Sequence, residues 1–211
     1  MSLIDLTIPI REQMPVWPGD PSPSIRYTSS FEAGDHNNVS AATIGLHTGT
    51  HMDAPKHFIR GAGGMETISL DTLIGPARVI EIENPERVEA EELQGKNIEG
   101  ATRFLIKTRN SASKWWKKPF DRAFCHMTEE AARLLLDAGM KLLGVDCLSV
   151  DGHAAAIADA PVHNLLLPAG VVLLEGLNLS GAAPGDYELI ALPALFEDRD
   201  GAPARVVLRG L

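Results

Sequence analysis

Cysteine is scarce in this chain of 211 residues: Cys125 and Cys147 are its two, and neither belongs to a CxxC pair. Two such residues do not build a disulfide framework, and the expectation is a reduced protein of the cytoplasm. Basic residues are outnumbered, 19 Lys and Arg against 28 Asp and Glu, for a formal charge of −9. An acidic chain without a basic cluster is a poor partner for nucleic acid or for an anionic membrane surface. Long apolar runs are missing too. The longest, Leu165 to Leu174, contains Pro168 and Gly170 and is too short to span a bilayer. The segment Met1–Asp5 has no basic start followed by an apolar stretch, so no secretory leader is read there. No GxSxG follows a strand pattern, which disfavours a serine hydrolase. Gly61-Ala62-Gly63-Gly64 is neither a P-loop nor a dinucleotide fingerprint.

What is present is an ordinary globular mix, 45% hydrophobic and 22% charged, of a length that suits one domain over 1–211. Short β-rich runs recur at Leu3–Ile10, Ile25–Phe31, Ala77–Ile82, Arg103–Thr108, Lys141–Val150, Val171–Leu177, Tyr187–Leu192 and Ala204–Leu208, bounded mostly by Gly, Pro, Asn and Asp. The clearest helix is Thr128–Ala138. Thr128 can cap it, Glu129 and Glu130 suit its first turn, and Gly139 can close it in the left-handed conformation. Weaker helices are read at Arg87–Leu93 and Ile68–Leu73. Strands outnumber helices, and the expected class is a single mixed α/β domain. Pro15–Pro23 and Gly61–Met65 read as ordered loops. Trp115-Trp116, set among Lys114, Lys117 and Lys118, reads as a solvated or interface loop.

The most informative segment is Gly45–Phe58, where His47, His51, Asp53 and His57 stand within eleven residues. A helix is disfavoured by Thr48-Gly49-Thr50 and by Pro55. With the strand period of two, all four side chains share one parity. A straight strand from 47 to 57 would extend about 33 Å, so the chain must bend to bring them together, and Gly49 and Pro55 are the places for it. Imidazole and carboxylate together suit Zn, Mn or Fe, and a set with an open position can activate water at neutral pH. Downstream, His163 precedes one apolar run and Glu175 lies inside another, where an ionised carboxylate is costly unless paired or metal-bound. Asp146 and Asp151 read as strand-end caps.

His-Thr-Gly-Thr-His-Met-Asp-Ala-Pro-Lys-His at 47–57 resembles the HxGTHxDxPxH signature of the cyclase-like metal hydrolases, the family of bacterial kynurenine formamidases and isatin hydrolases. Val16-Trp17-Pro18-Gly19-Asp20, Leu174-Glu175-Gly176-Leu177 and 185–193 resemble its flanking segments. The resemblance implies a swivelling β/β/α-type fold and a homo-oligomer, a dimer or tetramer. It implies one or two divalent ions, zinc or manganese. His47, His51 and Asp53 would hold the first, and Asp53, His163 and Glu175 the second. His57 would be the general acid/base, and Trp17 would line the substrate pocket. Asn164 stands where formamidases often carry a second histidine. The implied reaction is hydrolysis of N-formyl-L-kynurenine to L-kynurenine and formate, an arylformamidase step of tryptophan catabolism. The alternatives are a cyclic amide such as isatin, another small amide or lactone, or a non-catalytic protein stabilised by its metal.

Overall fold

The computed structural model describes residues 3–211. Its strands are β1 (Leu3–Asp5), β2 (Ser24–Ser29), β3 (Val39–Thr43), β4 (His51–Asp53), β5 (Ile74–Glu81), β6 (Arg87–Val88), β7 (Arg103–Lys107), β8 (His126–Met127), β9 (Leu142–Val145), β10 (Val172–Glu175), β11 (Gly185–Pro193) and β12 (Gly201–Gly210). Its helices are α1 (Leu70–Leu73), α2 (Ala90–Gln94), α3 (Arg109–Ser113), α4 (Glu129–Asp137), α5 (His153–Ala158) and α6 (Pro161–Leu166).

The large sheet runs β1-β12-β11-β5-β7-β9-β10-β4, and β4 also pairs with β12. That second pairing closes seven strands into a barrel, with β1 added on the outside of β12. The pairs β5–β7, β7–β9 and β9–β10 are parallel, and the rest of the ring is antiparallel. The mixed α/β class expected from the sequence is the class observed.

Side-chain alternation explains how so many strands are buried. Leu105, Leu142, Val172, Leu174, Leu189, Val206 and Leu208 belong to one apolar cluster, the filling of the barrel. Phe104, Ile106, Leu143, Val145 and Leu173, of opposite parity, join a second cluster with Leu93 of α2, Ala131 and Leu135 of α4, and Val162 and Leu166 of α6. The central parallel strands therefore read as continuous apolar runs because both faces are covered.

The eight strand runs read from the sequence are present with shifted ends, and β3, β6 and β8 are additional to them. Leu3–Ile10 pairs over β1 and then makes a single bridge, Thr7 to Leu177. Lys141–Val150 stops at Val145, where Asp146 turns away to accept hydrogen bonds from the Thr108 and Ser111 backbone. Arg87–Leu93 is corrected: Arg87 and Val88 pair with His126 and Met127, and the helix begins at Ala90. Buried Val88 is worth more in that contact than in an isolated helical turn. The Trp pair is corrected as well. Trp116 is buried against Ile8 and Met14, and Trp115 donates its ring N–H to the Asp146 carbonyl at 2.8 Å. Helix α4 starts with Thr128 Oγ1 accepting from Ala131 N and ends before Gly139 at φ +92°.

Two glycines meet below the histidine segment. Gly49 and Gly176 both have positive φ, and a Cβ on Gly176 would lie 2.0 Å from the Gly49 carbonyl oxygen. We predict that Gly176→Ala destabilises the protein by about 3 kcal/mol, because main chain must move as well as strain. Gly139→Ala, with open space around it, should cost only about 1 kcal/mol for its left-handed φ. Urea denaturation of both variants checks the ranking.

Candidate metal centre

Strand register builds the centre. In the β10–β4 pair, Glu175 lies opposite His51 and Leu173 opposite Asp53. Met52 and Leu174 face the barrel interior, so His51, Asp53 and Glu175 share the outer face, beneath α6. Helix α6 turns His163 onto the same face. His51 Nε2 is 3.3 Å from Glu175 and 3.6 Å from Asp53, and His163 Nε2 is 3.4 Å from Asp53 and 3.5 Å from Glu175. All four residues are at most 3% exposed, so nothing in bulk water solvates their charge.

The bends expected at Gly49 and Pro55 are present. Gly49 takes φ +68°, and Pro55–His57 forms a turn of 3₁₀ helix. They return His47 and His57 to Asp53 from either side. His47 Nδ1 lies 2.9 Å from Asp53 Oδ1, and the His47 and His57 rings stack with centroids 4.1 Å apart. Gly201, opposite Asp53 on β12, leaves the room this needs: a Cβ there would be 2.6 Å from His47 Cε1.

Two groups of ligand atoms result, His47/Asp53/His57 and His51/Asp53/Glu175, each within 4.8 Å of one another. Asp53 belongs to both. His51 Nε2 and Asp53 Oδ2 are buried without a hydrogen-bond partner. Stranded acceptors of this kind, among imidazoles and carboxylates with no thiolate, fit a divalent cation.

The charges are lopsided in a way that fits the same need. Burial opposes a charged His47, but hydrogen bonds to Asp200 and Asp53 outweigh it and raise its pKa to about 10. His163 is likewise disfavoured by burial and raised to about 10 by Asp151 and Asp53. Burial pushes Asp53 upward, yet the neighbouring imidazoles of His163 and His47 hold it well below the carboxylate range. Glu175 is raised by burial and by the neighbouring Asp53 charge. His57 is lowered to about 4, first by burial and then by the positive charge of His47 and His163. Protonated histidines thus supply the positive charge that these carboxylates demand.

Of the seven residues singled out in the sequence, His47, His51, Asp53, His57, His163 and Glu175 come together. Trp17 is half-buried against Phe120, Phe124 and His153 at ring-centroid distances of 5.5, 6.4 and 5.4 Å. Asn164 points outward and donates to the Asp159 carbonyl. Two carboxylates escaped the sequence reading. Asp151, buried, accepts from Val162 N and His163 N and lies 2.6 Å from His163 Nδ1, so it caps α6 rather than a strand. Asp200 Oδ2 lies 2.8 Å from His47 Nε2. Asp200 follows Glu197, Asp198 and Arg199 in a polar turn, and no local pattern separates it from them.

Comparison with known proteins gives the chain a family. The family model described as "Putative cyclase" matches residues 4–152. Kynurenine formamidases of Bacillus cereus and Geobacillus thermodenitrificans are 35% and 38% identical to it, each alignment covering 98% of this chain and 96% of the relative. A solved potential metal-dependent hydrolase with cyclase activity superposes with a TM-score of 0.83 at 34% identity, covering 98% of this chain and 96% of the other. Isatin hydrolase A of Labrenzia aggregata superposes with a TM-score of 0.83 at 25% identity, covering 98% and 93%. On this match along nearly its whole length, the chain belongs to the cyclase-like family of metal-dependent hydrolases.

Proposed function

We propose that the protein is a metal-dependent amide hydrolase whose substrate is N-formyl-L-kynurenine, cleaved to L-kynurenine and formate. The observation that carries the reading is the buried His51–Asp53–Glu175–His163 group with its two unpartnered atoms, in a chain whose relatives are kynurenine formamidases.

In this reading His47, His51 and Asp53 would hold one divalent cation, and Asp53, His163 and Glu175 a second; Asp53 is the residue common to the two close groups of ligand atoms, His47/Asp53/His57 and His51/Asp53/Glu175. Zinc and manganese both suit the donor set. When bound, such a cation acidifies water and polarises a carbonyl. The chain's own residues do the rest. His57, kept neutral beside His47, accepts the proton of the attacking water. It returns that proton to the aniline nitrogen as the formyl C–N bond breaks, so the amine leaves uncharged. Water adds across one bond, and no redox partner is needed. Trp17 offers a flat face for the substrate's aromatic ring. His153, its ring tilted against Trp17 at 5.4 Å, begins α5 two residues after Asp151, the partner of His163 Nδ1.

The likeness to isatin hydrolase A favours a cyclic amide as the second reading. Two buried free thiols, Cys125 and Cys147, support the cytoplasm as its compartment, and the family resemblance supports a homo-oligomer.

Three outcomes are expected. The zinc- or manganese-loaded protein turns over N-formyl-L-kynurenine faster than isatin, and chelation abolishes both; the reverse preference in parallel spectrophotometric assays would select the second reading. His57→Ala lowers turnover by roughly 10²- to 10⁴-fold while metal content per chain, read by elemental analysis, stays unchanged. A fall in metal content would make His57 a ligand instead. Finally, zinc uptake at pH 7.5 releases about two protons per chain, because His47 and His163 are protonated in the metal-free protein up to about pH 10. Calorimetry in two buffers of different ionisation enthalpy counts them, and zinc affinity should rise as the pH is raised.

A further inference from the structure

We propose that Asp200 is a positioning residue, whose carboxylate holds His47 in the tautomer that turns Nδ1 toward the metal centre. The inference rests on the reading of His47 as a metal ligand.

His47, His51 and His163 each have one ring nitrogen already committed. His51 Nδ1 donates to the Gly49 carbonyl at 3.0 Å, and His163 Nδ1 faces Asp151 at 2.6 Å, which leaves Nε2 of both for a cation. His47 is reversed. Its Nε2 is taken by Asp200 Oδ2 at 2.8 Å, and its Nδ1 points at Asp53, 2.9 Å away. A nitrogen that donates its proton to a carboxylate fixes the other as the lone-pair donor.

Asp200 is built for this. Its carbonyl accepts from Ala54 N at 2.8 Å, tying it to the end of β4, one residue beyond Asp53. The turn before it is fastened at several points. Asp198 N donates to Glu66 Oε2 at 2.8 Å, Met65 N donates to the Arg199 carbonyl at 3.2 Å, and Lys56 pairs with the Asp198 carboxylate. Gly64 must lack a side chain to let that turn approach, since a Cβ there would lie 2.6 Å from Arg199 N. Gly201, next in the chain, clears space for the His47 ring. Asp200 Oδ2 also stands 3.9 Å from His57 Nδ1, too far for a direct bond and near enough to favour one orientation of the stacked pair.

Zinc affinity of the full-length chain, measured by competition with a chromophoric chelator, and the visible spectrum of the cobalt-substituted protein test this together. Asp200→Ala should weaken zinc binding by about 10- to 100-fold and shift the cobalt bands. Asp200→Asn keeps an oxygen that can accept from Nε2–H, and should restore most of the affinity and the wild-type spectrum. Wild-type affinity and spectrum in Asp200→Ala would overturn the proposal. So would an Asn variant as weak as the Ala variant with cobalt bands of altered coordination number, which would make Asp200 a ligand itself. A wild-type chain that takes up neither ion would overturn the metal reading, and this inference with it.

Discussion

Two carboxylates on one face of a sheet, under a helix and out of reach of water, set the conditions for everything around them. Asp53 and Glu175 cannot both be ionised in such a place unless positive charge is supplied nearby. The ring of histidines is the answer in the metal-free protein, and a cation is the answer the geometry fits. The rest follows from bringing that charge to one point. Strand β4 must pair on both sides, β10 must place Glu175 opposite His51, and α6 must start where His163 can face Asp53.

Much of this is legible in the sequence, and particular residues show why. His51 and Asp53 are two apart, so any strand puts them on one face. Gly49 and Pro55 punctuate the segment, and the chain bends there because few other residues allow it. Glu175 among valines and leucines is a buried charge on its face value. Asp200 and Asp151 are hidden for the opposite reason. Their roles depend on which strand lies beside which helix, and an aspartate in a polar turn looks the same whether it meets water or an imidazole. Strand ends were hidden in the same way. Val145 and Asp146 are neighbours in an apolar run, and only the Thr108 and Ser111 amides decide that the strand stops between them.

The centre is layered. The innermost atoms are His and carboxylate donors. Around them Asp151, Asp200 and the Gly49 carbonyl hold one side of the His163, His47 and His51 imidazoles, so these rings have little freedom left to spend on binding. Outside those, glycines do the work of absence. Gly64, Gly176 and Gly201 each sit where a methyl group would strike backbone or ring. The polar chemistry therefore depends on backbone contacts that carry no chemistry of their own.

The double pairing of β4 also has a temporal consequence. Its partners β10 and β12 come from far along the chain, and β12 is the last strand in sequence order. Until β12 docks, the ring is open, the edge of β4 is bare, and neither Gly201 nor Asp200 is beside His47. Closing such distant pairs is the slow part of folding. During synthesis the histidine segment is made early but stays without its surroundings until the final strand arrives. Assembly of a competent centre and closure of the barrel are then one event.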